Sequence, residues 1–247
     1  MFLDTDAVVL RTIPYSETSL ICKLYTKGKG KITVMAKGAR RKKNSMSSIL
    51  ETGNLIRIQI IMKENREIQI LREASFNSNT MAIRNNLQKL LTAISIVEIM
   101  DKTTHPMHSS PILFRLINRV IQHLCMENFN SSILYWFYLI QLTIQHGFKP
   151  DVQFCAKCKS QLIEGIYSIQ IGELCCSRCL QNDDVLLDST ALKFIMLLMQ
   201  THIENLDNIE SPEKKEFQIA LFLEQFMCHH IEGMSRVRSI NIAHGLL

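Results

Sequence analysis

The chain has 247 residues, of which 47% are hydrophobic, and it carries a formal net charge of +5 at pH 7. This composition excludes a disordered tail and a collagen-like repeat, and the length allows one large domain or several small ones. The longest uninterrupted apolar run covers residues 133–140, far shorter than the ~20 residues of a membrane-spanning helix.

The N-terminus has neither the basic segment nor the long apolar segment of a secretory signal. The sequence therefore predicts a soluble protein of the cytoplasm. The chain contains eight cysteines. In that compartment, metal ligation and buried thiols explain cysteines better than a disulfide framework does.

Apolar and polar side chains alternate with a period of two along much of the first 75 residues. This pattern predicts two strands within residues 7–26, a turn at 27–30, and three further strands over 31–37, 55–62 and 66–72. Five short strands in so little sequence favour a small antiparallel barrel. The five-stranded oligonucleotide-binding (OB) barrel is the first candidate, and an SH3-like barrel is the alternative.

The positive charge of the chain is concentrated in this barrel region. Residues 1–75 contain fourteen Lys and Arg against seven Asp and Glu, whereas residues 76–247 contain fourteen against sixteen. Between Thr18 and Leu50 there is no acidic residue. A one-sided basic surface favours a polyanion partner, because each phosphate contact releases condensed counterions. The predicted nucleic-acid-binding residues are Lys23, Lys27, Lys29, Lys31, Lys37, Arg40, Arg41, Lys42 and Lys43. Tyr15 and Tyr25 are candidates for stacking on bases.

From about residue 79 the apolar residues take the spacing of helices. The first long helix is predicted to bury one face, formed by Leu87, Leu90, Leu91, Ile94 and Val97. Further helices are predicted over residues 112–124 and 131–146, after a cap at Asp188 or Ser189, and from Ser211 onward. The helix over 131–146 is apolar almost all round, so it is predicted to be the buried centre of a bundle.

Four cysteines form two C-x2-C pairs, Cys155 with Cys158 and Cys176 with Cys179, separated by seventeen residues. This spacing is typical of two knuckles that close on one tetrahedral zinc ion. Four thiolates leave no open coordination position, so the predicted Zn²⁺ is structural. Cys175 precedes Cys176 and is an alternative third ligand.

The sequence contains no phosphate-binding loop, H-E-x-x-H, G-x-S-x-G or G-x-G-x-x-G motif. A nuclease or a ligase-like enzyme is disfavoured, because the basic region lacks an acidic metal cluster and a Lys-x-Asp-Gly motif. The prediction is therefore a non-enzymatic protein. An RNA-binding module in translation or RNA processing stays open, since it would share every electrostatic feature.

Several segments resemble one known family in the same order along the chain. They are residues 7–19 (AVVLRTIPYSETS), 25–32 (YTKGKGKI), 36–41 (AKGARR), 147–150 (GFKP) before the first cysteine pair, and 189–192 (STAL). These segments resemble the RecO family of bacterial recombination mediators. Two departures are Lys159, where the family pattern leads us to expect glycine, and the doubled Cys175-Cys176.

The resemblance implies an α+β protein with an N-terminal OB-fold domain at residues 1–78. An all-helical domain at 79–247 would follow, with a zinc-ribbon-like insert at 151–183. It also implies binding of single- and double-stranded DNA, annealing of complementary strands, and loading of RecA onto DNA coated with single-stranded-DNA-binding protein (SSB). The implied partners are RecR, the C-terminal tail of SSB and RecA, and the implied location is the bacterial nucleoid. Some members of the family lack the cysteines, so the metal is expected to be a scaffold.

Overall fold

A computed structural model describes residues 2–42, 45–78, 80–127, 129–180 and 185–239. The described residues form two compact units, one with residues up to 127 together with 237–239, and one with residues 129–236. The strands are β1 (Phe2–Tyr15), β2 (Ser19–Thr26), β3 (Gly30–Ala36), β4 (Leu55–Ile61), β5 (Ile68–Phe76), β6 (Gly165–Ser168), β7 (Glu173–Cys175) and β8 (Val185–Leu187). The helices are α1 (Met46–Ile49), α2 (Met81–Arg84), α3 (Leu87–Thr103), α4 (Pro111–Leu124), α5 (Ser131–Gln145), α6 (Ser189–Gln200) and α7 (Glu216–His230).

Within the described residues of the first unit, five strands close into a barrel in the order β1-β2-β3-β5-β4. Neighbouring strands are antiparallel except for β3 and β5, which run parallel. This topology confirms the predicted OB barrel and favours it over the SH3-like alternative. Strand β1 starts at Phe2 rather than near Ala7, because its first half pairs with β4 and its second half with β2.

The barrel encloses an apolar core because alternate residues of each strand point inward. The fully buried side chains include Val9, Leu24, Val34, Ile56 and Ile60. Helix α1 lies between β3 and β4, in the segment that separates the third and fourth predicted strands. Met46 and Ile49 of this helix pack against the barrel core.

Helix α3 is present, and the prediction of its buried face is correct only in part. Val97 is buried and Leu90 and Leu91 are half-buried, whereas Leu87 is 64% exposed and Ile94 is 38% exposed. The buried residues of the helix are Lys89, Ala93, Ser95, Ile96, Val97, Ile99, Met100, Asp101 and Thr103. Thr103 Oγ1 donates to the Ile99 carbonyl at 2.8 Å, and the Asp101 carboxylate accepts from Lys23 Nζ at 3.3 Å. The Ser95 hydroxyl is buried without a hydrogen-bond partner among the described residues.

The loop between α3 and α4 lies directly against the start of β3. The backbone N–H of Met107 donates to the Lys31 carbonyl at 2.9 Å. Gly30 has φ +64°, and a Cβ placed on it would lie 2.1 Å from the His108 carbonyl oxygen. Glycine is required here because any side chain would meet backbone that cannot rotate away.

We therefore expect Gly30→Ala to destabilise the protein by at least about 2 kcal/mol, since it combines a left-handed backbone with a steric clash. Gly28→Ala is the matched control in the same turn, because a Cβ at Gly28 has nothing within 4 Å and its φ is not positive. Thermal unfolding of the full chain tests both variants. Equal melting temperatures for the two would contradict the close approach of this loop to β3.

The second unit contains α5, α6 and α7 and a three-stranded sheet in the order β7-β6-β8 among its described residues. Every residue of α5 from Ile133 to Ile140 is buried, as predicted for a central helix. Asp188 caps α6 by accepting from the N–H groups of Thr190 at 3.1 Å and Ala191 at 3.0 Å. Along the described parts of the chain, no helix combines the length and apolarity needed to cross a membrane.

Candidate nucleic-acid interface and metal centre

The barrel topology divides the basic stretch between the two ends of β3. Leu20 pairs with Ala36, so the β1–β2 turn and the segment after β3 lie at one end. Thr33 pairs in parallel with Ile68, so the β4–β5 turn lies at the opposite end, where the β2–β3 turn also lies. Residues that are continuous in sequence therefore form two separate groups of cations.

The first group, here called the loop cluster, follows the end of β3. It consists of Lys37, Arg40, Arg41 and Lys42, and all four side chains are exposed. The backbone N–H of Arg40 donates to the Thr18 carbonyl at 2.9 Å, and Arg40 Nη1 donates to the Ser16 carbonyl at 3.2 Å. These bonds hold the loop against the β1–β2 turn. Lys43 was predicted as part of this group and lies outside the described residues.

A groove of about 720 Å³ lies at the other end of β3. Five cations line it, and they are Lys23, Lys29, Lys31, Lys63 and Arg66. Lys27 is exposed in the turn that carries Lys29. In OB barrels the face formed by strands 2 and 3, together with the loop before strand 5, is the usual site for oligonucleotides. Three of the lining cations, Lys23, Lys29 and Lys31, were predicted to bind nucleic acid. The other two, Lys63 and Arg66, were not.

Asp101 of α3 neutralises part of the positive charge of the groove. Its carboxylate lies 3.3 Å from Lys23 Nζ and 3.4 Å from Lys31 Nζ. The Lys31 side chain is only 12% exposed, against 39% for Lys23. Burial lowers the pKa of Lys31, and the neighbouring Asp101 carboxylate opposes that shift. Among the described residues, the side chains of Lys29, Lys63 and Arg66 have no ion pair.

The two tyrosines differ in accessibility. Tyr25 is completely buried, so it offers no surface for stacking on a base. Tyr15 is 49% exposed at the β1–β2 turn, next to the loop cluster. Tyr15 therefore stays a stacking candidate.

The second unit brings Cys155, Cys158, Cys176 and Cys179 together, with their sulfur atoms within 4.8 Å of one another. The first pair forms a tight turn in which the Lys159 N–H donates to the Cys155 carbonyl at 2.9 Å. In the second turn the Cys179 N–H donates to the Cys176 carbonyl at 2.9 Å. Four sulfur donors at this spacing could hold a metal ion.

The environment of the cluster favours thiolate at Cys155. Burial opposes its ionisation, but hydrogen bonds from the backbone around Cys158 and Cys176 lower its pKa to about 6. Interactions with the Cys158 and Cys176 side chains raise the pKa of Cys179 to about 12. Ionisation of one sulfur thus suppresses ionisation of its neighbour. A cation bound among the four would relieve this repulsion.

Cys175 is not one of the four clustered residues. It is fully buried at the end of β7, opposite Ile166 of β6. Burial is the main reason that its pKa is raised. Cys176, in contrast, has a lowered pKa, because hydrogen bonds from the Cys158 and Cys179 side chains outweigh the effect of burial.

Lys159 occupies the position after the first knuckle with φ +58°. A left-handed conformation is unfavourable for a residue with a Cβ, which gives a physical reason to expect glycine at this point.

We expect Lys159→Gly to stabilise the metal-loaded protein by about 0.5–1 kcal/mol. Melting curves of the full chain provide the measurement. Lys157→Gly is the control in the same turn, where φ is not positive, and it should lower stability. If both variants melt at lower temperature, strain at Lys159 is not the controlling effect.

Sequence reasoning missed Lys63, Arg66 and Asp101. Lys63 and Arg66 alternate with Glu64 and Glu67, so their segment has no net charge. A search for runs of basic residues therefore does not find it. The signal that could have identified these two cations is the position of Lys63 between the fourth and fifth predicted strands and of Arg66 at the start of the fifth, because this connection borders the binding face of an OB barrel.

Comparisons with known proteins identify the family of the chain. The family model described as Recombination protein O N terminal matches residues 1–79, and the one described as Recombination protein O C terminal matches residues 84–239. A protein of Prosthecochloris aestuarii named DNA repair protein RecO is 26% identical over 98% of this chain and 97% of its own length. Proteins with the same name from Chloroherpeton thalassium and Halalkalibacterium halodurans are 25% and 26% identical, over 100% and 87% of this chain and 100% and 85% of their own lengths.

The division between the family models falls near the boundary predicted after residue 78, whereas the compact units divide at residue 127. The predicted boundary itself stays a prediction. The two family models together cover nearly the whole chain. The chain therefore belongs to the RecO family of DNA repair and recombination proteins.

Proposed function

We propose that this protein is a non-enzymatic recombination mediator that binds single- and double-stranded DNA and anneals complementary strands. It would help to load RecA onto SSB-coated DNA during the repair of gaps and double-strand breaks. The observation that carries the proposal is an OB barrel with exposed cations at both ends, in a chain of the RecO family. The proteins named DNA repair protein RecO support the same assignment.

The proposed mechanism is electrostatic. Lys and Arg side chains contact phosphates and displace their counterions, which gives affinity without reading the base sequence. Two strands bound to one basic protein repel each other less, so their bases can meet and pair. No covalent bond is made or broken. The proposed contacts are the nine residues of the basic stretch, of which Lys23 and Lys31 already share the Asp101 carboxylate.

We propose that Cys155, Cys158, Cys176 and Cys179 hold one structural Zn²⁺. Zinc fits four thiolate donors better than the oxygen-preferring Mg²⁺ or Ca²⁺ does. The ion supplies folding energy to the insert and takes no part in DNA chemistry. The proposed protein partners are RecR, the acidic and apolar C-terminal tail of SSB, and RecA. The proposed location is the bacterial cytoplasm, at the nucleoid.

An annealing assay tests this function. Two complementary labelled strands, bare or coated with SSB, are mixed with the purified protein over a salt series without nucleotide. If four to six side chains contact phosphates, log K for single strands should fall with log salt at a slope of roughly −3 to −4. We expect annealing on bare and coated strands with the same salt dependence.

Binding without annealing would contradict the mediator function and leave a generic nucleic-acid module. Preference for structured RNA over DNA of equal length would support the RNA-binding alternative. Strand cleavage that depends on Mg²⁺, or covalent labelling by ATP, would show that the protein is an enzyme.

A further inference from the structure

The groove at the start of β3 has features of a second binding site. We propose that three of its cations, the half-buried Lys29 and the exposed Lys63 and Arg66, here called the groove cluster, bind one single strand of nucleic acid while the loop cluster binds another. This inference rests on the proposed function, because it concerns how one molecule holds two strands.

The distance between the clusters is the first argument for two sites. Six residue steps of strand separate Lys31 from Lys37, which corresponds to about 20 Å. At physiological salt, electrostatic interactions are screened over about 8 Å. The two clusters are therefore separated by more than two screening lengths. Each attracts phosphates largely independently of the other.

The second argument is that the start of β3, next to the groove cluster, is contacted by other segments of the first unit. Asp101 of α3 pairs with Lys23 and Lys31. Met107 donates its N–H to the Lys31 carbonyl, and the His108 carbonyl lies directly over Gly30. A single strand running along β3 from one cluster to the other would have to displace these contacts. A strand that stays in the groove can lie beside Met107, which lines it, and leave these contacts in place.

The lining of the groove fits a nucleotide strand. Lys29, Lys63 and Arg66 provide charge, while Met62 and Met107 provide apolar surface. Phosphates can contact the cations while bases lie against the apolar side chains. Glu64 and Glu67 also line the groove and reduce its positive charge. The segment 37–42 contains no acidic residue. The groove is therefore the weaker site, which is occupied after the loop cluster.

This arrangement gives each strand its own position on the protein. A strand held in the groove is kept from competing for the loop cluster, so the two strands stay bound together long enough to pair. A single shared site would bind the strands in turn and would give no such advantage.

The test uses two short strands that are not complementary, one with a donor dye and one with an acceptor dye. Strands of about 12 nucleotides lie within the range of OB site sizes. For the full chain we expect about two strands per protein, with energy transfer between the dyes. Sedimentation of the same mixtures counts the protein copies in each complex, which separates two strands on one molecule from two strands on a dimer.

Two variants distinguish the sites. Lys63→Ala with Arg66→Ala, and separately Arg40→Ala with Arg41→Ala and Lys42→Ala, should each lower the stoichiometry to about one strand and remove the energy transfer. The groove variant should retain most of the affinity for the first strand, because the loop cluster is the stronger site. Arg115→Ala with Lys193→Ala removes two exposed cations from helices and should change neither result.

One strand per wild-type protein would overturn the two-site inference while leaving DNA binding intact. So would persistent energy transfer in both variants, or loss of all binding in the groove variant. Absence of any binding by the wild type at low salt would instead overturn the proposed function, and the inference with it.

Discussion

Replacement of Cys155 and Cys158 by serine is expected to release the bound metal and to unfold the insert that carries the cluster. Serine hydroxyls do not replace thiolates as zinc ligands, and two remaining cysteines cannot close a tetrahedral site. Binding of structural zinc is worth about 10–16 kcal/mol in small zinc domains. This exceeds or equals the whole stability of most domains, about 5–15 kcal/mol. The insert should therefore not stay folded without the ion.

The loss should extend beyond the insert. Tyr167, Leu174, Val185 and Leu187 of its sheet are buried, and the Tyr167 ring lies 5.4 Å from the Phe222 ring of α7. Exposing such side chains costs roughly 1.5–3 kcal/mol each. We expect a melting temperature lower by at least about 10 °C, since 1 kcal/mol corresponds to about 2–4 °C for a chain of this size. Metal analysis and melting curves of the full chain measure both effects.

Two single variants serve as controls for the cysteine replacements. Cys228→Ser changes an exposed thiol outside the cluster and should leave metal content and stability unchanged. Cys175→Ala should keep the metal, because Cys175 is not among the clustered sulfurs, while lowering stability modestly through a small cavity. A metal-free Cys175→Ala would show that the third ligand had been misassigned. A double variant that retains one metal per chain would contradict the site as a whole.

The features that sequence predicted well are those that depend on local pattern. Inward-facing residues such as Val34 and Ile58 recur at a period of two, and the glycines at 28 and 30 mark a turn between strands. The spacing of the four cysteines is similarly informative, because each knuckle is a short local turn that presents two sulfurs. The barrel and the clustering of the four cysteines could therefore be predicted from the sequence.

The features that sequence missed depend on contacts between distant segments. The buried face of helix α3 was predicted only in part, because Ser95 and Asp101 are polar but buried, and Leu87 is apolar but exposed. Asp101 could be recognised as a buried residue only once Lys23 and Lys31 were placed opposite it. The nine cations were predicted to form one basic surface, because their order in the sequence does not show that β3 separates them into two groups.

The largest effect on DNA binding is expected from the loop that follows β3. Replacing Arg40, Arg41, Lys42 and Lys43 with alanine should make the slope of log K against log salt less negative by about 2, if three of the four contact phosphates in single strands. A slope difference of 2 means that the variant binds about 100-fold more weakly than the wild type at 0.1 M salt. Near 1 M salt the two affinities should be similar. Titrations of a labelled single strand at several salt concentrations measure the slope.

This variant should fold normally, because the side chains of Arg40, Arg41 and Lys42 are exposed and only Arg40 anchors the loop, through the Ser16 carbonyl. The matched control carries the same loss of charge on exposed residues that are not part of the barrel strands or their turns, through alanine at Arg115, Lys149, Lys193 and Lys214. If binding depends on local phosphate contacts, the control keeps the wild-type slope. If it depends on net charge alone, both variants lose affinity equally, and the loop has no special role. If the loop variant keeps the wild-type slope, the DNA does not bind at the loop, and the groove at the other end of β3 becomes the candidate binding surface.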